Sequence, residues 1–416
     1  MSLRIGIFVV FGVVVGPWAA AAQPHQHDSS AESERSGWHV MQDAIAFGLW
    51  NHQGGPRGGS EFRVPNWWMG MFSRAVKSSN LTVSTMFSLD PVTVGKKGYR
   101  ELFQVGETFD GEPLVDYQHP HDLFMQLAAV WRAPLGAQTG LTIAGGPSAE
   151  PALGPVAFMH RASARENPMS PLSHHTFDST HIAFGVVTAA VDRGRWTLEG
   201  SVFNSREPDE DRWDFDFGAL DSVAGRLWFR PDDRWEFQFS SGRLKEPEGP
   251  GHGDIVRSTA SASWLKRSGA DFSAATIAYG ANDSDEARRA SLLLEGTLRK
   301  NRYSAYGRFE FVEVETETLA GDRALGHEVK DTVAALTLGG VRELPRWRNV
   351  EAGIGAAATF YGVPARLRPT HGERPASFQV FVRVRPAAGP MSMWNMYMTR
   401  PMMGAPADPH AGHQMP

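Results

Sequence analysis

From residue 38 onward the chain alternates apolar and polar side chains with a period of two, segment after segment, and this excludes most folds. Trp196, Leu198, Gly200 and Val202 share one face of an extended segment, while Thr197, Glu199 and Ser201 share the other. Trp235, Phe237 and Phe239 oppose Glu236, Gln238 and Ser240, and Phe378, Val380, Val382 and Val384 oppose Gln379, Arg383 and Arg385. A period of two is the signature of a β-strand with one greasy and one wet face. No apolar run of about eighteen residues follows Trp18, so no membrane-spanning helix is expected. The whole chain reads as about sixteen strands.

The connections carry as much information as the strands. Those after even-numbered strands are short: Lys77 to Ser79, Ala133 to Gln138, Arg193-Gly194, Pro231 to Asp233, Arg267 to Ala270, Lys300-Asn301 and Glu343 to Trp347. Those after odd-numbered strands are longer, above all Asp90 to Pro120 and Pro147 to Thr180. A soluble sandwich or propeller also alternates in this way, but has no reason to gather its long loops at one end. A transmembrane antiparallel up-and-down β-barrel does: short turns lie on the periplasmic side and long loops outside, and an even strand count returns both termini to one side. Closure also pairs every backbone N–H and C=O within lipid. The fold class expected is therefore all-β, a barrel of about sixteen strands.

That geometry assigns the faces. The Trp, Phe, Leu and Val faces point to lipid, and Glu199, Arg226, Glu236, Glu295, Arg308, Glu310, Glu351 and Arg383 point into the lumen. A cation placed against hydrocarbon at mid-bilayer would cost about 2–4 kcal/mol. Opposite signs on neighbouring strands predict a cross-strand ion-pair lattice lining a wet interior.

In this pattern the chain resembles bacterial outer-membrane β-barrel, porin-like proteins from Trp38 to Pro386. The resemblance implies outer-membrane lipid and lipopolysaccharide as surroundings, small solutes or metal ions as cargo, and leaves homo-oligomerisation open. One departure is plain. Many such barrels end on a terminal Phe, whereas thirty residues follow Pro386 here.

Composition narrows the chemistry. With 41 basic against 46 acidic side chains and a net charge of −5, no nucleic-acid partner is expected. The absence of cysteine excludes a thiolate nucleophile and any Cys-based metal site. Arg4, the apolar run Ile5 to Trp18 and the small residues Ala19 to Ala22 read as a signal peptide over 1–22. A periplasmic linker over 23–37 contains His25 and His27; the barrel over 38–386 carries the long loops 90–120 and 147–180; a periplasmic tail occupies 387–416. That tail holds Met391, Met393, Met396, Met398, Met402, Met403 and Met415 with His410 and His413. Thioether sulfur suits Cu(I), and imidazole suits Cu(II) and Zn(II). In these extensions the chain resembles outer-membrane copper-resistance proteins, which implies copper, or another divalent metal, as a cofactor. A packing role for the methionines is the alternative.

The two long loops hold a second set of candidate ligands: His119, His121 and Asp122 in one, His160, His174, His175, Asp178 and His181 in the other. The fourth and sixth predicted strands both start at the outer end, so His121, Asp122 and His181 should meet at one rim. Histidines beside carboxylates are what a metal site needs, although imidazoles also tie loops together through backbone carbonyls. The acidic stretch Glu207 to Asp221 matches no EF-hand spacing and reads as a solvated loop. Three functions are compatible with these residues: a porin-like channel or barrel component for metal, above all copper, tolerance or export; a loop-filled barrel with a structural or surface role; and a barrel-borne hydrolase using His121, Asp122 and Ser173 or Ser179. No G-x-S-x-G motif supports the last.

Overall fold

The computed structural model describes residues 37–247, 253–387 and 398–399. The signal segment 1–22, the linker up to residue 36 and most of the tail, including Met391, Met393, Met396, Met402, Met403, His410 and His413, lie outside the described residues.

The chain forms β1 (His39–Gln53), β2 (Gly59–Arg63), β3 (Asn66–Val76), β4 (Ser79–Phe87), β5 (Tyr99–Phe109), β6 (Glu112–Gln118), β7 (Phe124–Gly136), β8 (Thr139–Ala149), β9 (Ala183–Arg193) and β10 (Trp196–Phe203). It continues with β11 (Ser222–Phe229), β12 (Trp235–Leu244), β13 (Ile255–Ser268), β14 (Asp271–Asp283), β15 (Arg288–Lys300), β16 (Tyr303–Glu315), β17 (Lys330–Glu343), β18 (Val350–Gly362) and β19 (Ala376–Pro386). Each wall strand pairs antiparallel with its neighbours, and β19 returns to β1, with Leu49 opposite Phe381. The result is a closed barrel of sixteen strands, because β2 and β3 together make one wall strand. Pro65 has no N–H to give a ladder and breaks that strand; its carbonyl still accepts from Phe47 N at 3.0 Å. The short end is built from tight turns whose left-handed residues, among them Lys77 (φ 56°), Gly194 (φ 58°) and Asn301 (φ 56°), match the twist of the flanking strands.

The faces sort as hydrocarbon demands. Leu198 is 62% exposed and Leu338 53%, whereas Glu199 and Arg226 are 2% exposed and Arg383 0%. A closed sheet with an apolar exterior is the architecture of the bacterial outer membrane.

Two expectations need correction. The stretch 90–120, read as a loop, holds a short helix α1 (Asp90–Thr93) and the β5–β6 hairpin. The eight charged residues assigned to the lumen face inward as expected, but they are buried rather than lining wet space, and the chain between β8 and β9 folds inward against several of them. Ala152 N donates to Ser201 Oγ, Gly154 N to Ser240 Oγ and Ser173 N to Glu310. On the opposite wall Glu166 pairs with Arg383 and Arg385 of β19. This plug loop thus crosses the lumen from β10 to β19. Gly280 of β14 makes room for it: a Cβ there would stand 2.6 Å from the Phe177 ring of α2 (His174–Phe177).

Candidate metal centre

The plug loop and the β5–β6 segment bring their histidines together beneath the long-loop end. The rings of His119 and His174 lie 6.0 Å apart, His119 and His175 5.4 Å, His174 and His181 5.3 Å, and His121 and His181 5.8 Å. Residues more than fifty positions apart thus converge at one rim. One ring nitrogen from each of His119, His174 and His175 lies within 4.8 Å of the other two. Local sequence explains the approach. Gly106 on β5 lies against the His175 ring, where a Cβ would be 2.1 Å from its carbons.

Four of the five imidazoles are held from behind. His121 Nδ1 is 2.8 Å from Asp90 Oδ2, His174 Nδ1 is 2.8 Å from Asp178 Oδ1, and His119 Nδ1 is 3.0 Å from Glu107 Oε1. His181 Nδ1 faces the backbone oxygen of Asp178 at 2.7 Å. Carboxylates and carbonyls only accept, so Nδ1 carries the proton and Nε2 the lone pair. The Nε2 atoms of His119, His121, His174, His175 and His181 are buried without a hydrogen-bond partner among the described residues. Five orphaned Nε2 atoms in one region, four of them bearing a lone pair, demand a reason, since buried polar atoms are normally satisfied.

Burial favours the neutral form of three of these rings. Burial lowers the pKa of His174 and drives His175 and His181 well below the ordinary imidazole range, the neighbouring imidazoles adding to the effect for the latter two. Burial alone would raise Asp178, but Arg161 and His174 hold it below the usual carboxylate range. Glu107 is likewise pushed up by burial and pulled down further by His119 and Arg212. It sits at φ 62°, a left-handed conformation unfavourable to a residue with a Cβ. Its second oxygen binds Arg212, which also reaches Asp122 at 3.4 Å, so the acidic loop closes over the centre.

The remaining sequence candidates stand elsewhere. Asp122 faces Arg212, and burial pushes its pKa up to about 7. Asp178 accepts from His174, Arg161 and Phe158 N, which makes it an orienting carboxylate. His160 packs edge-on against Trp67 at 5.2 Å. Met398 is buried in an apolar cluster with Ala144, Leu153 and Phe203, and Thr399 beside it bonds Glu199 inside the barrel, so these two tail residues are not in the periplasm. Among the wall charges, Arg226 pairs with Glu199 at 2.6 Å, Arg308 with Glu295 at 3.2 Å and Arg230 with Glu236 at 2.9 Å. Glu351 pairs with Arg385 and Arg346 rather than Arg383, and Glu310 receives Ser173 Oγ. The hydrolase constellation is not assembled: Ser173 donates to Glu310, Ser179 Oγ accepts from Arg257, and His121 faces Asp90. Sequence reasoning missed Asp90, Glu107, Arg161 and Arg212, whose spacing carries no motif.

No protein-family model matches the chain, and no curated protein sequence is similar to it. Solved structures do match. OprB of Pseudomonas putida, in its high-pH structure, superposes with a TM-score of 0.51 at 9% identity, covering 85% of this chain and 95% of that one. OmpF of Salmonella typhi in complex with daunomycin gives 0.48 at 8% identity, covering 83% and 97%. In-vitro folded OmpT of Vibrio cholerae gives 0.46 at 9%, also covering 83% and 97%. At such identities the likeness is one of fold. Barrel, strand count and apolar wall define a porin-like outer-membrane β-barrel. The resemblance of the tail to copper-resistance proteins gains no support from these comparisons.

Proposed function

We propose that this barrel handles a transition-metal ion at the outer membrane, holding it on imidazole nitrogens beneath the long-loop end. The observation that carries the reading is the set of five buried, unpartnered Nε2 atoms, four of them on rings whose Nδ1 is tied to a carboxylate or carbonyl. A histidine that ligates through one nitrogen is oriented in this way through the other. His119, His174 and His175 supply the nearest donors, and His121 and His181 complete the group. Imidazole selects Zn(II) or Cu(II) over Mg(II) or Ca(II). The Met- and His-rich tail favours copper, and so a role in copper tolerance or export.

Free solute flow is the less favoured reading, because the plug loop spans the interior. The test uses the full chain in detergent, loaded with Cu(II), Zn(II) or Mg(II) and desalted, with bound metal measured by mass spectrometry. Wild type should retain copper or zinc and no magnesium. The variant His119→Gln with His174→Gln and His175→Gln should lose about tenfold or more in affinity, with its strand signal in circular dichroism intact. Equal retention by both proteins would overturn the reading.

A further inference from the structure

Parts of the inner wall are lined by hydroxyl groups that bond across strands, as in Ser73–Thr82, Thr188–Ser201, Ser240–Thr259 and Thr337–Thr359. One patch is built from thioethers instead. Met69 and Met71 of β3, Met86 of β4 and Met125 of β7 are buried as one cluster, with Met41 of β1 and Met159 of the plug loop packed against it. Strand register sets Met69 opposite Met86 and Met71 opposite Met41. Directly opposed residues hold their Cβ atoms about 4.5–5.5 Å apart, so two thioether pairs meet on three adjacent strands.

Simple space-filling does not account for the choice of residue. The apolar cluster formed between hairpin and wall uses Leu102, Val312, Val333 and Leu367, with no methionine. Six of the seven methionines between residues 38 and 386 gather in the one patch. A thioether is neutral, polarisable and soft; it binds d10 monovalent ions and ignores hard ones. Asp43, directly opposite Met69, places a carboxylate at the edge of the patch, with Arg165 3.8 Å from it. A cavity of about 50 Å3 is lined by Trp67 and Met159, which pack against the patch, and by His121.

We propose that the methionine patch is a binding site for a soft monovalent cation of the Cu(I) or Ag(I) type, separate from the histidine centre. It does not require the histidines to be occupied. Silver serves as the probe because it undergoes no redox change. The full chain in detergent is incubated with Ag(I) and excess free methionine, desalted, and its silver measured by mass spectrometry. Four proteins are compared: wild type; Met69→Leu with Met71→Leu and Met86→Leu, which conserves volume; a variant with every methionine from Met391 to Met415 except Met398 changed to Leu; and His119→Gln with His174→Gln. The wall variant should bind silver at its tightest site about tenfold or more weakly, while the tail and histidine variants keep that tightest site whatever weaker binding they lose. Wild-type silver retention by the wall variant, or loss in the histidine variant alone, would overturn the proposal. In the tail variant labelled with selenomethionine, silver-edge X-ray absorption should show a selenium shell; nitrogen and oxygen alone would overturn it as well.

Discussion

At the residue scale, the centre depends on groups that touch no metal. Asp90 receives Nδ1–H of His121 and also the backbone N–H of Asn66, so it fixes the ring through a rigid support. Asp90→Asn should lower metal affinity by about 10–100-fold, measured by competition with a chromogenic chelator; an unchanged affinity would remove His121 from the ligand set. The pH response follows from burial. An imidazole whose folded pKa lies below its unfolded value, about 6.5, adds to stability above that value and loses the contribution as pH falls beneath it. The same depression leaves His175 and His181 unprotonated and able to ligate below that pH. Bound metal should therefore be retained as pH drops past about 6.5; half-release at or above that point would show protons competing as they do at a free imidazole. The histidines and their meeting at one rim were legible in the sequence, because strand parity places chain-distant loop ends together. Asp90, Glu107 and Arg212 were not, since an acidic or basic residue in a loop has no periodicity to mark it and its partner is chosen by tertiary approach.

At the scale of elements, the plug loop is held by charges that have no water to fall back on. Arg161 lies between Asp178 and Glu295, both at 2.7 Å and all fully buried. Removing it strips Asp178 of its guanidinium and leaves Glu295 with Arg308 alone, and Arg161→Ala should cost about 3–5 kcal/mol, read as new protease cleavage within residues 150–182 in an otherwise intact barrel. Gly280→Val should act from the opposite side, by steric intrusion into Phe177, at about 1–3 kcal/mol. If neither substitution exposes the loop, the plug is not seated as described. The sequence could mark this loop as long but not as internal. Its inward fold depends on small and polar partners, such as Ser201, Ser240 and Gly280, whose positions on a strand look the same whether they face water or protein.

At the scale of the whole molecule, the barrel itself was the most legible feature, because lipid imposes alternation on every strand and leaves no freedom in the faces. Replacing Leu338 on the exterior by Lys should cost about 2–4 kcal/mol if it lies near the midplane, seen as a lower unfolding midpoint in urea with lipid vesicles, whereas a neutral change would place it outside the hydrocarbon. With the plug in place, planar-bilayer recordings should show little conductance. Replacing residues 152–180 by a short Gly-Ser linker should give stepwise openings, and porin-sized currents from the unaltered chain would contradict an occluded interior.

The pairing of Glu166 with Arg383 and Arg385 joins the plug to the last strand, which also closes the seam with β1. Filling of the interior and closure of the wall are thereby coupled through one pair of side chains on the closing strand. An unseated loop would leave Arg383 and Arg385 to share Glu343 and Glu351 of the two preceding strands, an excess of positive charge at the very edge where the cylinder closes.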